Sequence, residues 1–221
     1  MTVLQPPLED RSGHHDHARH GHHASLQDAL DFVNTSDPTG ASERDDLAQL
    51  EPALRWLHAH ELMHREMVEE QLAQYAGDAA GASRLLDRIG RVRQALRELL
   101  DATVERRPPD PTALREVNRA LRAQYIYELM PAPDGVSLDH RHEGDPVAGA
   151  LARLAEAIGR ELTAPDGNRL RVCANETCRW VFRDSSPAGR RKWCDMRTCG
   201  NRAKVARHRQ RRREQEQPVS S

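Results

Sequence analysis

The sequence predicts a mainly α-helical protein with one small β-hairpin, in which a helical N-terminal domain precedes a small four-cysteine domain that ends in a basic helix. Three observations predict it. Hydrophobic residues make up 38% of the chain but aromatics only 4%, a composition suited to helices packed through aliphatic side chains rather than to a sheet sandwich. Apolar residues recur at intervals of three and four over long stretches, which is the helical period. All four cysteines fall in one short basic segment near the C-terminus.

Residues 1–24 contain GHHDHARHGHH, six histidines in eleven residues with no apolar period, and are expected to be disordered. The imidazoles of His14, His15, His17, His20, His22 and His23 could take up Zn, Ni or Cu loosely, and an affinity-tag remnant or a passive tract would have the same composition. The opening lacks the charged-then-apolar order of a signal peptide, and no stretch approaches the run of about eighteen apolar residues that a membrane span needs. A soluble, cytoplasmic protein with no membrane partner is the expectation.

The first ordered element is SLQDALDFVNT, where Ser25 can cap a helix that carries Leu26, Ala29, Leu30 and Val33 on one face. A second helix starts around Glu51 and Pro52, places Leu54 and Leu57 together beside Trp56, and continues or kinks before Tyr75. The clearest periodicity runs from Ala82 to Arg107 through Leu85, Ile89, Val92, Leu96, Leu99 and Leu100, and Pro108 with Pro109 stops it. Another helix begins after Pro111 and turns Leu114, Val117 and Leu121 inward. QYIYELMPAPDGVSLDH then reads as two short strands around a Pro-Asp-Gly turn. A last helix of this domain spans about Pro146 to Leu162, and TAPDGN breaks the chain after it.

Charge divides the chain at the same break. Residues 1–168 hold 18 Lys and Arg against 29 Asp and Glu, a net of −11, whereas residues 169–213 hold 15 against 3, a net of +12. The domain boundary is therefore placed at about residue 168, with a short disordered tail over 214–221, and the partner of the second segment is expected to be a polyanion.

The cysteines read Cys173-x4-Cys178, fifteen residues, Cys194-x4-Cys199. Two turns that each present a pair of thiolates are the usual way for a small fold to hold a tetrahedral zinc ion, and a segment so poor in apolar side chains needs the metal's binding energy to fold. Two disulfides, four free thiols, an iron–sulfur cluster or a redox-switched site are the other readings of this spacing, the disulfides disfavoured in a cytosolic chain. Between the pairs, RWVFRDSS fits a short strand with Trp180 and Phe182 on one face, packing with Trp193 over the metal.

After Cys199 the sequence favours a helix to about Arg213, docked on the metal core by a narrow strip of Ala203, Val205 and Ala206. Arg202, Lys204, Arg207, Arg209, Arg211, Arg212 and Arg213 cover its other faces, and Arg190, Arg191 and Lys192 precede the second cysteine pair. A merely solvated helix interleaves acids with bases, yet no acid stands between Asp195 and Glu214, so these residues are the candidate nucleic-acid contacts. Asn201 can read adenine or brace the metal turn.

The stretch CGNR, Cys199 to Arg202, with AKVARHRQRR behind it and Cys173 and Cys178 before it, closely resembles the CGNR zinc finger of bacterial proteins. ALDFVNT, residues 29–35, resembles the opening of the ABATE domain usually joined to that finger, a family described as stress-induced transcriptional regulators. The resemblance implies that Cys173, Cys178, Cys194 and Cys199 ligate one zinc ion and that the finger binds DNA. It leaves the first domain to sense a small-molecule ligand or to mediate assembly, for instance as a homodimer.

Readings of a different class remain. The same basic finger could serve RNA or a protein partner. HELMH, His60 to His64, fits H-E-x-x-H, which on a helix would put two imidazoles on one face with a glutamate poised over zinc-bound water. No third ligand follows it, and a regulator without catalytic activity is the expectation.

Overall fold

Each helix of the N-terminal domain begins and ends for a local reason. Helix α1 (Leu26–Val33) starts at a reciprocal cap, in which the Ser25 hydroxyl accepts from the Asp28 amide and the Asp28 carboxylate accepts from the Ser25 amide. Helices α2 (Leu50–Ala59) and α3 (Arg65–Gln74) follow, and then α4 (Ala79–Glu105), the longest. Asp110 caps α5 (Pro111–Ala120) and Asp145 caps α6 (Pro146–Thr163), each with proline in the first turn, where its missing N–H costs nothing. The computed structural model describes residues 24–40, 44–123, 125–133, 135–142, 144–165 and 169–216. The histidine leader, most of the break after α6 and the last five residues lie outside these.

Strands β1 (Tyr125–Ala132) and β2 (Gly135–His142) pair antiparallel with Ala132 opposite Gly135, which closes the hairpin where the Pro-Asp-Gly turn was expected. In the C-terminal part, β3 (Leu170–Val172) pairs antiparallel with β4 (Val181–Arg183), a single π-helical turn spans Met196–Gly200, and α7 (Asn201–Glu216) completes the described chain. The architecture is therefore mostly helical with two small hairpins, and no helix among the described residues is long and apolar enough to cross a membrane.

The core lies between α1, α4 and α6. Leu30, Phe32, Leu96, Leu100, Leu151, Leu154 and Ile158 are fully buried there, and α2 and α5 pack on α4 from outside. A charged cluster sits at its margin: Arg93, almost wholly buried, donates to the Asp45 carboxylate at 2.7 and 2.5 Å and to the Thr35 hydroxyl at 2.9 Å. Pairing makes this burial tolerable, since an isolated guanidinium would lose its hydration uncompensated.

One expectation fails in this domain. Helix α5 buries Ala113 and Val117, not Leu114 or Leu121, which are about two-fifths exposed. Both sets satisfy the helical period, and the small Ala113 lets α5 approach α4 more closely than a leucine there would. Of the two courses open to the second helix, to continue or to kink before Tyr75, the chain takes the kink, and α2 ends at Ala59. Glu61 is left-handed (φ 56°), its amide donates to the His58 carbonyl, and the Leu62 amide donates to the Leu57 carbonyl at 2.8 Å. These bonds close the helix in the manner of a Schellman motif, with glutamate in the position that glycine usually fills.

The broken helix removes the geometry that H-E-x-x-H needs. His60 stacks on Trp56 and its Nδ1 meets the Asp28 carboxylate at 2.9 Å, whereas His64 is an exposed residue at the start of α3. Leu62 and Met63 between them are buried in the core, and the Leu62 carbonyl accepts from Arg153. The stretch is thus a corner held by packing.

Candidate metal centre and nucleic-acid interface

Short turns set the four cysteines. Cys173 follows β3, and its amide donates to the Trp180 carbonyl at 2.8 Å, extending the β3–β4 pairing by one bond. The amides of Cys178 and Arg179 both donate to the Asn175 carbonyl at 2.9 and 3.0 Å, and Arg179 takes a left-handed conformation (φ 54°) to turn the chain into β4. The second pair sits at the entry to α7: the Asp195 carboxylate accepts from the Arg197 amide, and the Asp195 carbonyl accepts from the Gly200 amide at 3.0 Å. The wide π turn between them holds Cys199 buried beneath the helix. Gly200 leaves room for it, because a Cβ there would stand 2.8 Å from Met196 Sδ and 3.3 Å from Trp193 Cδ1.

All four sulfurs lie within 4.8 Å of one another. Cys178 and Cys194 are separated by 3.7 Å and Cys194 and Cys199 by 3.8 Å. A tetrahedron of sulfurs about 2.3 Å from a central zinc has edges of about 3.8 Å. The cysteines are free rather than bridged, and the donor set fits one structural zinc ion. Electrostatics agree. Burial, and then neighbouring thiolates, push the Cys178 thiol up to about 11 and the Cys194 thiol higher still. Burial also raises Cys199, but a hydrogen bond from Asn175 Nδ2 at 3.4 Å and the adjoining thiols outweigh it and leave that group lowered. Four thiolate sulfurs held within 4.8 Å would repel one another, and a divalent ion that takes soft ligands offsets that repulsion.

Phe182 and Trp193 pack against the sulfurs, as expected, but Trp180 does not belong to that cluster. It stands before β4, with the Arg44 guanidinium 5.3 Å from its ring. Arg191 lies over Phe182 at 5.1 Å and donates to the Cys194 carbonyl at 2.6 Å, so its side chain is engaged in building the finger. Its backbone amide donates to Asp184, a wholly buried carboxylate that also accepts from the Ser186 hydroxyl and amide. Arg190 and Lys192 on either side are exposed.

The finger is also joined to the helical domain. Asn34 at the end of α1 is buried, and its side-chain amide pairs with Val181 in both directions: Nδ2 donates to the Val181 carbonyl at 2.9 Å, and Oδ1 accepts from the Val181 amide at 3.0 Å. Leu170 and Val181, from β3 and β4, are buried within the main core rather than the sulfur cluster. Arg97 on α4 donates to the Arg179 carbonyl at 2.8 Å, and Arg183 pairs with Glu161 at 3.0 Å. Asn34 and Asn175 went unrecognised in the sequence. Asn175 lies within the cysteine spacing and could have been suspected; Asn34 acts across 147 residues and carries no local signal.

Helix α7 departs from the docking expected of it. Ala203 is half-buried, whereas Val205 and Ala206 are exposed, so the apolar strip covers nothing. The helix leaves the metal centre as a projection. Arg202, Lys204, Arg207, Arg209, Arg211, Arg212 and Arg213 are all exposed along it.

A helical domain joined to a four-cysteine zinc finger with a basic terminal helix is the class that this geometry defines. The CGNR zinc finger family matches residues 169–212, and the ABATE family, described as "Putative stress-induced transcription regulator", matches residues 27–165. The chain belongs to the ABATE family and carries a CGNR zinc finger. Neither is an enzyme family. No curated protein matches the chain.

Proposed function

We propose that the protein is a cytoplasmic transcriptional regulator that binds duplex DNA through the finger. An acidic domain over residues 25–168 would sense a small ligand or mediate assembly, including a homodimer, and a basic domain over 169–213 would hold the DNA. The observation that carries this reading is α7. Seven basic side chains stand exposed on a helix with no acid between Asn201 and Arg213. The span of α7, about 24 Å at 1.5 Å per residue, and its slender, undocked form suit it to a major groove.

Zinc supplies the fixed base. It would tie Cys173, Cys178, Cys194 and Cys199 together, and so set the direction in which the π turn launches α7. Arg202, Lys204, Arg207, Arg209, Arg211, Arg212 and Arg213, with Arg190 and Lys192 beside the base, would meet phosphates. Arg191 would contribute by bracing the Cys194 carbonyl. Most such contacts position the protein without reading sequence.

The test is binding of the zinc-loaded chain to genomic DNA fragments over a range of salt, beside Cys194→Ser and with structured RNA as competitor. Five or six phosphate contacts give a slope of log K against log salt of about −5. Cys194→Ser is expected to lose zinc and most of the affinity. Retained metal with unchanged affinity would refute the proposal, and preferential capture by RNA would reassign the finger.

A further inference from the structure

The four sulfurs of the metal centre are not equivalent. Cys173 is wholly buried and Cys199 is 5% exposed, whereas Cys178 and Cys194 are partly open to solvent. The two accessible sulfurs are also neighbours, 3.7 Å apart, one from each cysteine turn. Cys194 and Cys199 are almost as close at 3.8 Å, but Cys199 lies beneath the helix with Asn175 Nδ2 against its sulfur. One side of the centre therefore offers an oxidant two adjacent sulfurs, and the other two stay covered.

Bonds that do not involve the metal hold the two turns in this relation. The Ala174 amide donates to the Lys192 carbonyl at 2.8 Å and ties one turn to the other through the backbone. Arg97 on α4 donates to the Arg179 carbonyl, next to Cys178, at 2.8 Å, and Arg191 donates to the carbonyl of Cys194 itself at 2.6 Å. The Arg44 guanidinium, 5.3 Å from the Trp180 ring, adds positive charge beside Cys178. Ligation keeps the sulfurs as thiolates while zinc is bound. An accessible thiolate near a cation, with a second sulfur placed to resolve it, is the arrangement of a redox-reactive cysteine.

We propose that Cys178 and Cys194 form a peroxide-modification site, oxidised to a disulfide within the chain with release of the metal, while Cys173 and Cys199 stay reduced. The Cys178 thiolate attacks one oxygen of hydrogen peroxide, the O–O bond breaks, and the sulfur becomes a sulfenic acid as hydroxide leaves. The Cys194 thiolate then attacks that sulfur, the S–O bond breaks, and a second hydroxide leaves. Two thiolates and one hydrogen peroxide give one disulfide and two hydroxide ions, the sulfurs losing the two electrons that the peroxide gains. The sulfurs close from 3.7 Å to about 2.05 Å, a shift that the anchored turns direct to this pair. With two of four ligands consumed, the site no longer holds a divalent ion, and Cys199 no longer fixes the base of α7.

The zinc-loaded full chain is treated with hydrogen peroxide, metal release is followed with a chromogenic chelator, and the reaction is quenched in acid for alkylation, trypsin digestion and mass spectrometry. One zinc ion is expected to leave for each disulfide formed. Cleavage after Arg171, Arg179, Lys192, Arg197 and Arg202 places the cysteines on peptides 172–179, 193–197 and 198–202. The first two are expected to be linked, with fragmentation placing the bond on Cys178 and the alkyl group on Cys173, and the third to carry alkylated Cys199. A thiol reductant with added zinc is expected to restore the metal. Zinc retained under peroxide, a bond within either Cys-x4-Cys pair, a bond between two chains, or sulfonic acid at Cys178 with Cys194 unmodified would each overturn the assignment. None of these readouts involves DNA, so the outcome is independent of whether α7 binds a duplex.

Discussion

Asn34→Ala offers a stringent test of how the two parts are joined. The substitution removes two hydrogen bonds and leaves the amide and carbonyl of Val181, a residue 1% exposed, without partners. Each buried unsatisfied backbone group costs about 1 to 3 kcal/mol, so the pair costs about 2 to 6 kcal/mol. Water entering the space vacated by the amide would recover some of this, giving an expected loss of about 2 to 4 kcal/mol. Urea unfolding of the zinc-loaded chain, followed by tryptophan fluorescence, measures it directly, since Trp180 and Trp193 stand in the finger and Trp56 in the helical domain. Zinc stoichiometry should not change, because the four sulfurs are positioned by turns local to the finger. A loss below about 0.5 kcal/mol, the level of an ordinary surface substitution, would refute the idea that Asn34 carries the joint.

Two further outcomes follow from the charged cluster at the core margin. Asp45→Ala strands the Arg93 guanidinium, and since Asp45 itself is one-third exposed the expected cost is discounted to about 2 to 3 kcal/mol, read by chemical denaturation. Burial raises the Asp45 carboxyl, but hydrogen bonds from Arg93 and the Leu47 amide outweigh it and hold the group below the usual carboxylate range. A lowered folded-state value means that the stabilisation is complete above the unfolded value near 4 and fades only as pH falls through the folded one. The stability gap between the native chain and Asp45→Asn should therefore stay flat from about pH 8 to pH 5, and a gap that shrinks over that interval would contradict the assignment.

Much of the helical layout was legible because its signals are local. Ser25, Asp110 with Pro111, and Asp145 with Pro146 mark helix starts by chemistry within one turn. The cysteine spacing was legible for the same reason. The illegible features are those in which distant groups decide between locally equivalent choices. Leu114 and Ala113 fit the same period, and packing against α4 selected the smaller residue. Glu61 gave no glycine signal for the left-handed turn that ends α2. The strip on α7 looked like a docking face, yet three small residues offer too little apolar area to bind a helix so densely charged. ALDFVNT carried the family resemblance, and the structure supplies a physical reason for its last two residues: Asn34 clasps the finger and Thr35 receives Arg93.

The placement of Leu170 and Val181 in the main core ties the metal centre to the packing of the helical domain. A finger on a flexible tether could lose its metal and leave an intact but inactive chain behind. Here the strands that bracket Cys173 also complete the helical core, so metal loss loosens Leu170, Val181 and the contacts of Asn34 together. The metal-free chain would expose apolar surface and become a substrate for quality-control proteases. Zinc supply would then govern how many copies persist, and the protein would disappear under metal starvation rather than accumulate in a metal-free form.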